Sequence, residues 1–318
     1  KELGKIFFPE RTNEIYLNRF MSSLDRDLIK SKSYRILIDY SYGLASSIFP
    51  QILGNLGVEA ISLNNFIDAT RFNPDPAEEA EEIDETCKIM KSIGYNLGFR
   101  IEPGAEKISV VDERGFWISQ QRLLSIVTKL FLETHRNREP YKIAISVLAT
   151  KEIEEITKDY NVEVIRIKNT HSAMMDATID ENVLFVGSIH GGFIFRDFLF
   201  ASDGMFSIGQ ILEMLGKVNL KISQIDEKLP RRVFKSKEVR VPWELKGYKM
   251  RRAMQYSENL ERELIEGVKI RYGDTFVSLI PSQEKAAFGI YVDAPDSALL
   301  DRFLTQHIDL INKWKEES

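Results

Sequence analysis

Cysteine occurs once in this chain of 318 residues, at Cys87. That excludes an internal disulfide framework and suits a reducing compartment. There are only four histidines, and with the cysteine they show none of the short spacings of zinc sites, so a cage of that kind is not expected. No apolar run approaches the ~20 residues that a membrane helix needs, and no signal-peptide pattern opens the chain. Neither charge sign dominates: 43 Lys and Arg stand against 48 Asp and Glu, a net charge of −5. Bulk electrostatics therefore give no reason to expect nucleic acid as a partner. A cytoplasmic protein with neither a membrane nor a nucleic-acid partner is the expectation. An initiator methionine is missing too, and the start at Lys1 is read as a processed product or, in preference, a piece cut from a longer protein.

What is present describes an ordinary folded protein, 43% hydrophobic and 29% charged, long enough for two or three domains. Tyr34 to Asp39 reads as a buried parallel strand, Ala45 to Leu56 as a helix that Pro50 kinks or delays, and Val58 to Leu63 as a second strand. Asp75 to Ile93 carries apolar residues at spacings of three and four behind an acidic N-terminus, the pattern of an amphipathic helix. A strand near Leu97 and a helix from Gln120 to Glu133 follow. The rhythm repeats with strands at Tyr141 to Val147, Val162 to Ile167 and Val183 to Val186, and a helix at Lys151 to Tyr160. Asp203 is placed to cap a further helix. Beyond Lys228, strands at 231–241, 267–272, 275–280 and 288–292 accompany helices at 248–256 and 297–313. The fold expected is α/β: two units with mixed, mostly parallel sheets, then a smaller α+β C-terminal domain. The boundaries expected are 1–33, 34–137, 138–227 and 228–318.

The most informative stretch is Gly98 to Gly115, GFRIEPGAEKISVVDERG. It reads as a strand, an acidic loop and a second strand turning at Asp112 to Gly115. The loop offers Glu102, Gly104 and Glu106 at alternate positions and then Lys107, so two carboxylates stand where three would make a good magnesium cage. The segment resembles the α-D-phosphohexomutases, phosphoglucomutase and phosphomannomutase, whose second domain carries a D-x-D-x-D-R magnesium loop between such strands. The resemblance implies that the three aspartates fall on Glu102, Gly104 and Glu106, and the arginine on Lys107. It covers the chain in the family's order from about Tyr34 to the C-terminus, with Lys1 to Ile29 similar to the tail of the first domain. In the family that first domain holds the phosphate-bearing serine, for which this sequence offers no candidate.

Two further loops follow from the resemblance. The G-E-x-S-G-H sugar loop of the third domain corresponds to Gly187, Ser188, Ile189, His190, Gly191 and Gly192. The R-x-S-G-T phosphate loop of the fourth corresponds to Ile280, Pro281, Ser282, Gln283 and Glu284. Ser282 alone is kept in the latter, and a glutamate beside a phosphate is repulsive. His171 lies where the family has a sugar-specificity turn. The segment Val241 to Arg252 is similar to a branch fused behind a sugar-1-phosphate nucleotidyltransferase and a left-handed β-helix, as in bacterial mannose-1-phosphate guanylyltransferases.

Each feature has a plainer explanation. Glu102 and Glu106, with Asp112 nearby, could bind Mg2+ weakly, yet a solvated acidic loop is preferred and no cofactor is expected. His190 could meet a sugar or phosphate, or merely share a glycine turn. His171 reads as a surface residue and Cys87 as core. The basic run from Lys228 to Arg252 reads as a solvated face, with an anion or domain-docking surface as the minority reading. The function expected is a non-catalytic, phosphohexomutase-like C-terminal region of a nucleotidyltransferase, a pseudoenzyme that senses a sugar phosphate or supports the upstream domains. The alternative is part of an active phosphomannomutase or phosphoglucomutase.

Overall fold

The computed structural model describes residues 9–138 and 140–314. The first eight residues of the N-terminal tail, and Glu139 beside the expected boundary at 137/138, fall outside the described residues. Helices α1 (Thr12–Ser22) and α2 (Arg26–Ser31) lead into β1 (Arg35–Asp39), α3 (Phe49–Asn55), β2 (Glu59–Leu63) and α4 (Pro76–Ile93). Next come β3 (Leu97–Ile101), β4 (Ile108–Val111), β5 (Trp117–Ile118) and α5 (Gln120–Thr134). The chain continues through β6 (Tyr141–Ser146), α6 (Glu152–Thr157), β7 (Val162–Ile167), α7 (His171–Ala177), β8 (Val183–Gly187) and β9 (Phe193–Phe195). Helices α8 (Gly204–Val218) and α9 (Ile222–Lys228) precede β10 (Val233–Arg240), α10 (Trp243–Tyr256) and β11 (Arg262–Glu263). Last are β12 (Val268–Tyr272), β13 (Thr275–Pro281), β14 (Ala287–Ala294) and α11 (Ser297–Lys313).

Local chemistry explains the boundaries. Pro50 cannot donate a backbone hydrogen bond, and the helix expected over 45–56 starts late because of it. A 3-10 turn at Leu44–Ser47 gives way to α3 with Pro50 in its first turn. At α4, Asp75 accepts from the N–H groups of Ala77 and Glu78 while the Glu78 carboxylate takes that of Asp75, a reciprocal cap. Gly94 ends the helix in the left-handed region, φ 63°. Helix α7 was not anticipated. Its signal is Thr170, whose hydroxyl accepts from the Ala173 N–H.

The chain divides into two compact units, one of residues up to 119 with 191–226, the other of 120–190 with 227–318. Helix α5 thus lies with the second unit rather than with the strands before it, and 191–226 returns to the first. The first unit holds a mixed sheet of order β2-β1-β3-β4-β5, parallel through β2, β1 and β3 and antiparallel beyond. The second holds parallel strands in the order β7-β6-β8 and an antiparallel sheet β10-β14-β13-β12-β11. Val268, Ile270, Val277, Leu279, Phe288, Ile290 and Val292 alternate inward on that sheet and pack with Leu300, Leu304 and Ile311 of α11. The architecture is α/β with mixed sheets and a small C-terminal domain.

Buried charge fixes both units. In the first, the Arg100 side chain on β3 is 8% exposed and reaches Glu82 of α4 at 2.6 Å and the Ser41 hydroxyl at 2.9 Å. Asp39, at the end of β1, lies 3.7 Å from the same guanidinium and takes the N–H of Ser41 and the Asn64 amide. In the second unit Arg232, 3% exposed, binds Asp293 at 2.7 Å and Asp274 at 3.0 Å. Its own N–H donates to Glu152, whose other oxygen takes Arg122 and Ser125. The solvated-face reading of the basic run holds for Arg231, Lys235, Lys237, Arg240, Arg251 and Arg252, which are exposed, but not for Arg232, Lys246 and Lys249, whose side chains are buried, the last two donating to backbone carbonyls.

Removing one member of a buried pair leaves the other uncompensated, so Arg232→Met is expected to destabilise the second unit by about 3–5 kcal/mol. The exposed Lys235–Asp301 pair offers the control: Lys235→Met should change stability by under about 0.5 kcal/mol. Urea unfolding followed by tryptophan fluorescence reads both, and similar midpoints would remove Arg232 from this role. A pH effect follows from His307, which is fully buried with Nδ1 donating to the Phe303 carbonyl and Nε2 beside the Tyr272 hydroxyl. Burial lowers its pKa. The unfolded chain then binds a proton that the folded one refuses, so stability is full above about pH 6.5 and falls as pH drops below it. His307→Gln should flatten that fall in thermal melts between about pH 7 and 5.

Candidate active site

The acidic loop between β3 and β4 is shaped by its backbone. The Glu102 carbonyl takes the Ala105 N–H at 2.8 Å and its N–H reaches the Lys107 carbonyl at 3.1 Å, while Ala105 turns through φ 61°. The loop is held on two sides. The Leu44 N–H donates to Pro103 at 3.1 Å, and a Cβ on Gly43 would fall 2.5 Å from the Pro103 Cα, so only glycine allows that approach. On the other side Gly204, the first residue of α8, donates its N–H to the Ala105 carbonyl at 2.8 Å. Asp203 caps that helix through the Phe206 N–H and accepts the Tyr16 hydroxyl, both at 2.8 Å. Burial raises the carboxyl pKa of Asp203 against the lowering effect of those hydrogen bonds.

Part of the glycine loop lies against the acidic loop. The Ile108 N–H donates to the Gly191 carbonyl at 3.0 Å, and Lys107 forms an antiparallel bridge with Gly192. Gly191 makes this possible with φ 79°. The remaining sugar-loop positions have structural roles as well. A Cβ at Gly187 would lie 2.4 Å from a Leu124 methyl of α5. Ser188 is buried, its hydroxyl accepting from the His190 N–H at 3.2 Å, and His190 is exposed.

The side chains do not build a magnesium cage. Glu102 is half exposed and ion-paired with Lys107 at 3.3 Å, Glu106 is exposed, and Gly104 contributes no ligand. Asp112, read from sequence as a nearby carboxylate, is buried and committed to its turn. It accepts from the N–H groups of Arg114 and Phe116 and binds the Arg114 guanidinium at 2.8 Å. Among the described residues no group of three or more His, Cys, Asp or Glu side chains is placed to hold a metal ion. The residues present do not fit a resident Mg2+.

In the second unit the loop after β13 is closed by Ser282, whose hydroxyl accepts from the Lys285 N–H at 3.1 Å and whose own N–H reaches Ala287 at 3.0 Å. Gln283 and Glu284 project outward. Sequence reasoning missed Lys246, which donates to the carbonyls of both Ser282 and Lys285 and so braces the loop from beneath. The available signal was its neighbour Trp243, whose ring centroid lies 3.2 Å from the ammonium. His171 is exposed as expected and opens α7. Before it, the Asn169 N–H donates to Glu266 at 2.7 Å. Cys87 packs with Leu37, Met90 and Val111, as expected for core.

Comparison with known proteins gives these loops a context. Models of the phosphoglucomutase/phosphomannomutase α/β/α domains II and III match residues 14–115 and 119–233. A phosphoglucosamine mutase of Methanococcus vannielii is 24% identical over 98% of this chain and 70% of its own length. A phosphoglucomutase/phosphomannomutase of Thermococcus kodakarensis is 24% identical over 94% of this chain and 65% of its own. Among solved structures, a phosphoglucomutase/phosphomannomutase family protein of Burkholderia thailandensis superposes with a TM-score of 0.78 at 21% identity. That match covers 95% of this chain and 64% of that one. The N-acetylphosphoglucosamine mutase of Aspergillus fumigatus, solved with GlcNAc-6P and magnesium, gives 0.66 at 10% identity, over 96% and 66%. The chain thus spans about two thirds of its relatives' length. These matches overturn the expectation of a nucleotidyltransferase C-terminal region, because the relatives that align along nearly the whole chain bear mutase names. With the two domain models together spanning well over half of the sequence, the chain belongs to the phosphoglucomutase/phosphomannomutase family, within the α-D-phosphohexomutases.

Proposed function

We propose that this chain is part of an active phosphohexose mutase that moves a phosphoryl group between positions of a hexose or hexosamine phosphate. The observation that carries this reading is the clamp of the acidic loop onto the glycine loop, the Ile108 to Gly191 hydrogen bond with the Lys107–Gly192 bridge. A frame held on three sides by backbone contacts preserves a site whose side chains have diverged. The names of the relatives favour an amino sugar phosphate as the substrate class.

In this reading Lys107 supplies the positive charge of the acidic loop. Its ammonium, paired with Glu102, faces the anionic phosphate as a point charge. Within the second unit, the Lys246-braced loop at 282–286 offers hydroxyl and backbone donors to an anion. Positioning and charge are what phosphoryl transfer mainly requires of a protein.

Phosphorus NMR of the whole protein with glucosamine, glucose and mannose 1-phosphates, primed by a hexose bisphosphate, tests the proposal. Conversion to the 6-phosphates is expected, undiminished by EDTA. Lys107→Met should lower kcat/KM by about 100-fold, the scale of one lost electrostatic donor. Absence of interconversion for every sugar, with and without magnesium, would reject the reading. Lys246→Met should raise KM roughly tenfold, about 1.4 kcal/mol of uniform binding, with a smaller change in kcat. An unchanged KM would exclude the 282–286 loop from substrate binding.

A further inference from the structure

The second unit contains a cavity of about 260 Å³ lined by Lys151, Glu154, Arg166, Glu261, Arg262, Glu263, Lys269, Arg271 and Phe276. It opens beside the carboxyl ends of β6 and β7, the edge at which open α/β sheets take their ligands. It uses none of the acidic-, glycine- or Ser282-loop residues.

Internal pairing accounts for only part of the charge. Arg166 is spent: it binds both oxygens of Glu154, at 2.8 and 2.7 Å, and the carbonyls of Ser146, Ala149 and Thr150. Lys151 and Arg271 pair with Asp274 and Glu261, but those acids are 54% and 69% exposed, so the pairs are weak and free to exchange. Lys269 and Arg262 have no carboxylate within ion-pair distance among the described residues. The Lys269 ammonium donates to the Val147 carbonyl at 2.8 Å, and Arg262 to the Met254 carbonyl and the Ser257 hydroxyl. Only Glu263 stands against them unpaired. The ring of Phe276 forms a wall flanked by three cations, with Lys151 and Lys269 ammoniums each 5.4 Å and the Arg271 guanidinium carbon 5.9 Å from its centroid.

We propose that this cavity is a second anion site, which takes the phosphate group of a small phosphomonoester between Lys269, Lys151, Arg262 and Arg271. A compact dianion meets the unpaired cations, and the apolar wall accepts the carbon skeleton. Burial and the neighbouring Arg166 lower the Lys269 pKa to about 8, against Glu263, Glu154 and Asp293. A bound anion reverses that balance and draws a proton onto the ammonium.

Calorimetry with inorganic phosphate and glycerol phosphate, at pH 8 in two buffers of different ionisation enthalpy, tests the site in the full chain. Binding with net proton uptake is expected. Lys269→Met should weaken it at least tenfold, Lys269→Arg should retain it, and Glu263→Gln should tighten it. Ser282→Ala should leave this binding in place. Affinity unchanged by both Lys269→Met and Glu263→Gln would overturn the proposal, as would loss on Ser282→Ala alone, which would assign the phosphate to the mutase loop. Equal heats with glycerol would overturn it too. If Lys269→Met fails to fold by circular dichroism, Glu263→Gln decides.

Discussion

Two carboxylates that cannot be buried alone, Glu152 and Asp293, set the organisation of the second unit. Asp293 belongs to β14 of the C-terminal sheet and Glu152 opens α6 beside the parallel strands. Arg232 joins them, with its guanidinium on one and its backbone N–H on the other. The Lys151 N–H completes the link at Asp293. Because an unpaired charge in a dry interior costs several kcal/mol, these residues tolerate few arrangements. The segment from Leu229 to Arg232 is therefore a strut and not a slack linker, and the Lys269 cavity forms where β12 and β13 are brought against the end of β6.

The first unit follows the same logic on a smaller scale. Arg100 sits two residues ahead of Glu102, and its bonds to Glu82 and Ser41 fix where β3 ends. The acidic loop starts from that fixed point and is then clamped by Leu44, Gly204 and the glycine loop. Its geometry is set by groups that every residue carries, amides and carbonyls, so its side chains could change without moving it.

That division explains what was legible in the sequence. Period-3.6 patterns and apolar runs give the elements directly, since burying an apolar face dictates them; the helix from Asp75 to Ile93 and the strand at 34–39 are examples. The loops were recognisable by resemblance, through the alternating acids of 102–107 and the glycines of 187–192. Partners of charged residues were not legible. Arg232, Lys246 and Lys249 fit the spacing of a solvated strand and helix, and only tertiary contact shows that they are buried against carboxylates and carbonyls. Asp112 misled for the opposite reason, since a turn consumes both of its oxygens. The functional error had a similar root. Loop side chains point away from a mutase, whereas the relatives that align along nearly the whole chain bear mutase names.

The altered loop is coherent as a charge design. A loop with three aspartates and an arginine would carry about −2, enough to hold a divalent ion. Glu102, Glu106 and Lys107 together carry −1, and the Lys107 ammonium lies 3.3 Å from Glu102. A divalent cation would have to displace or repel that ammonium, and with Gly104 it would find one ligand fewer on arrival. One carboxylate fewer thus weakens metal binding and, under the proposed mutase reading, leaves less negative charge facing an incoming phosphate. A tethered ammonium loses less entropy on meeting that phosphate than a free ion does, but it supplies one charge where magnesium supplies two. Under the mutase reading proposed above, the exchange would trade stabilisation of the transferring group for independence from metal supply, with its cost on the chemical step more than on binding.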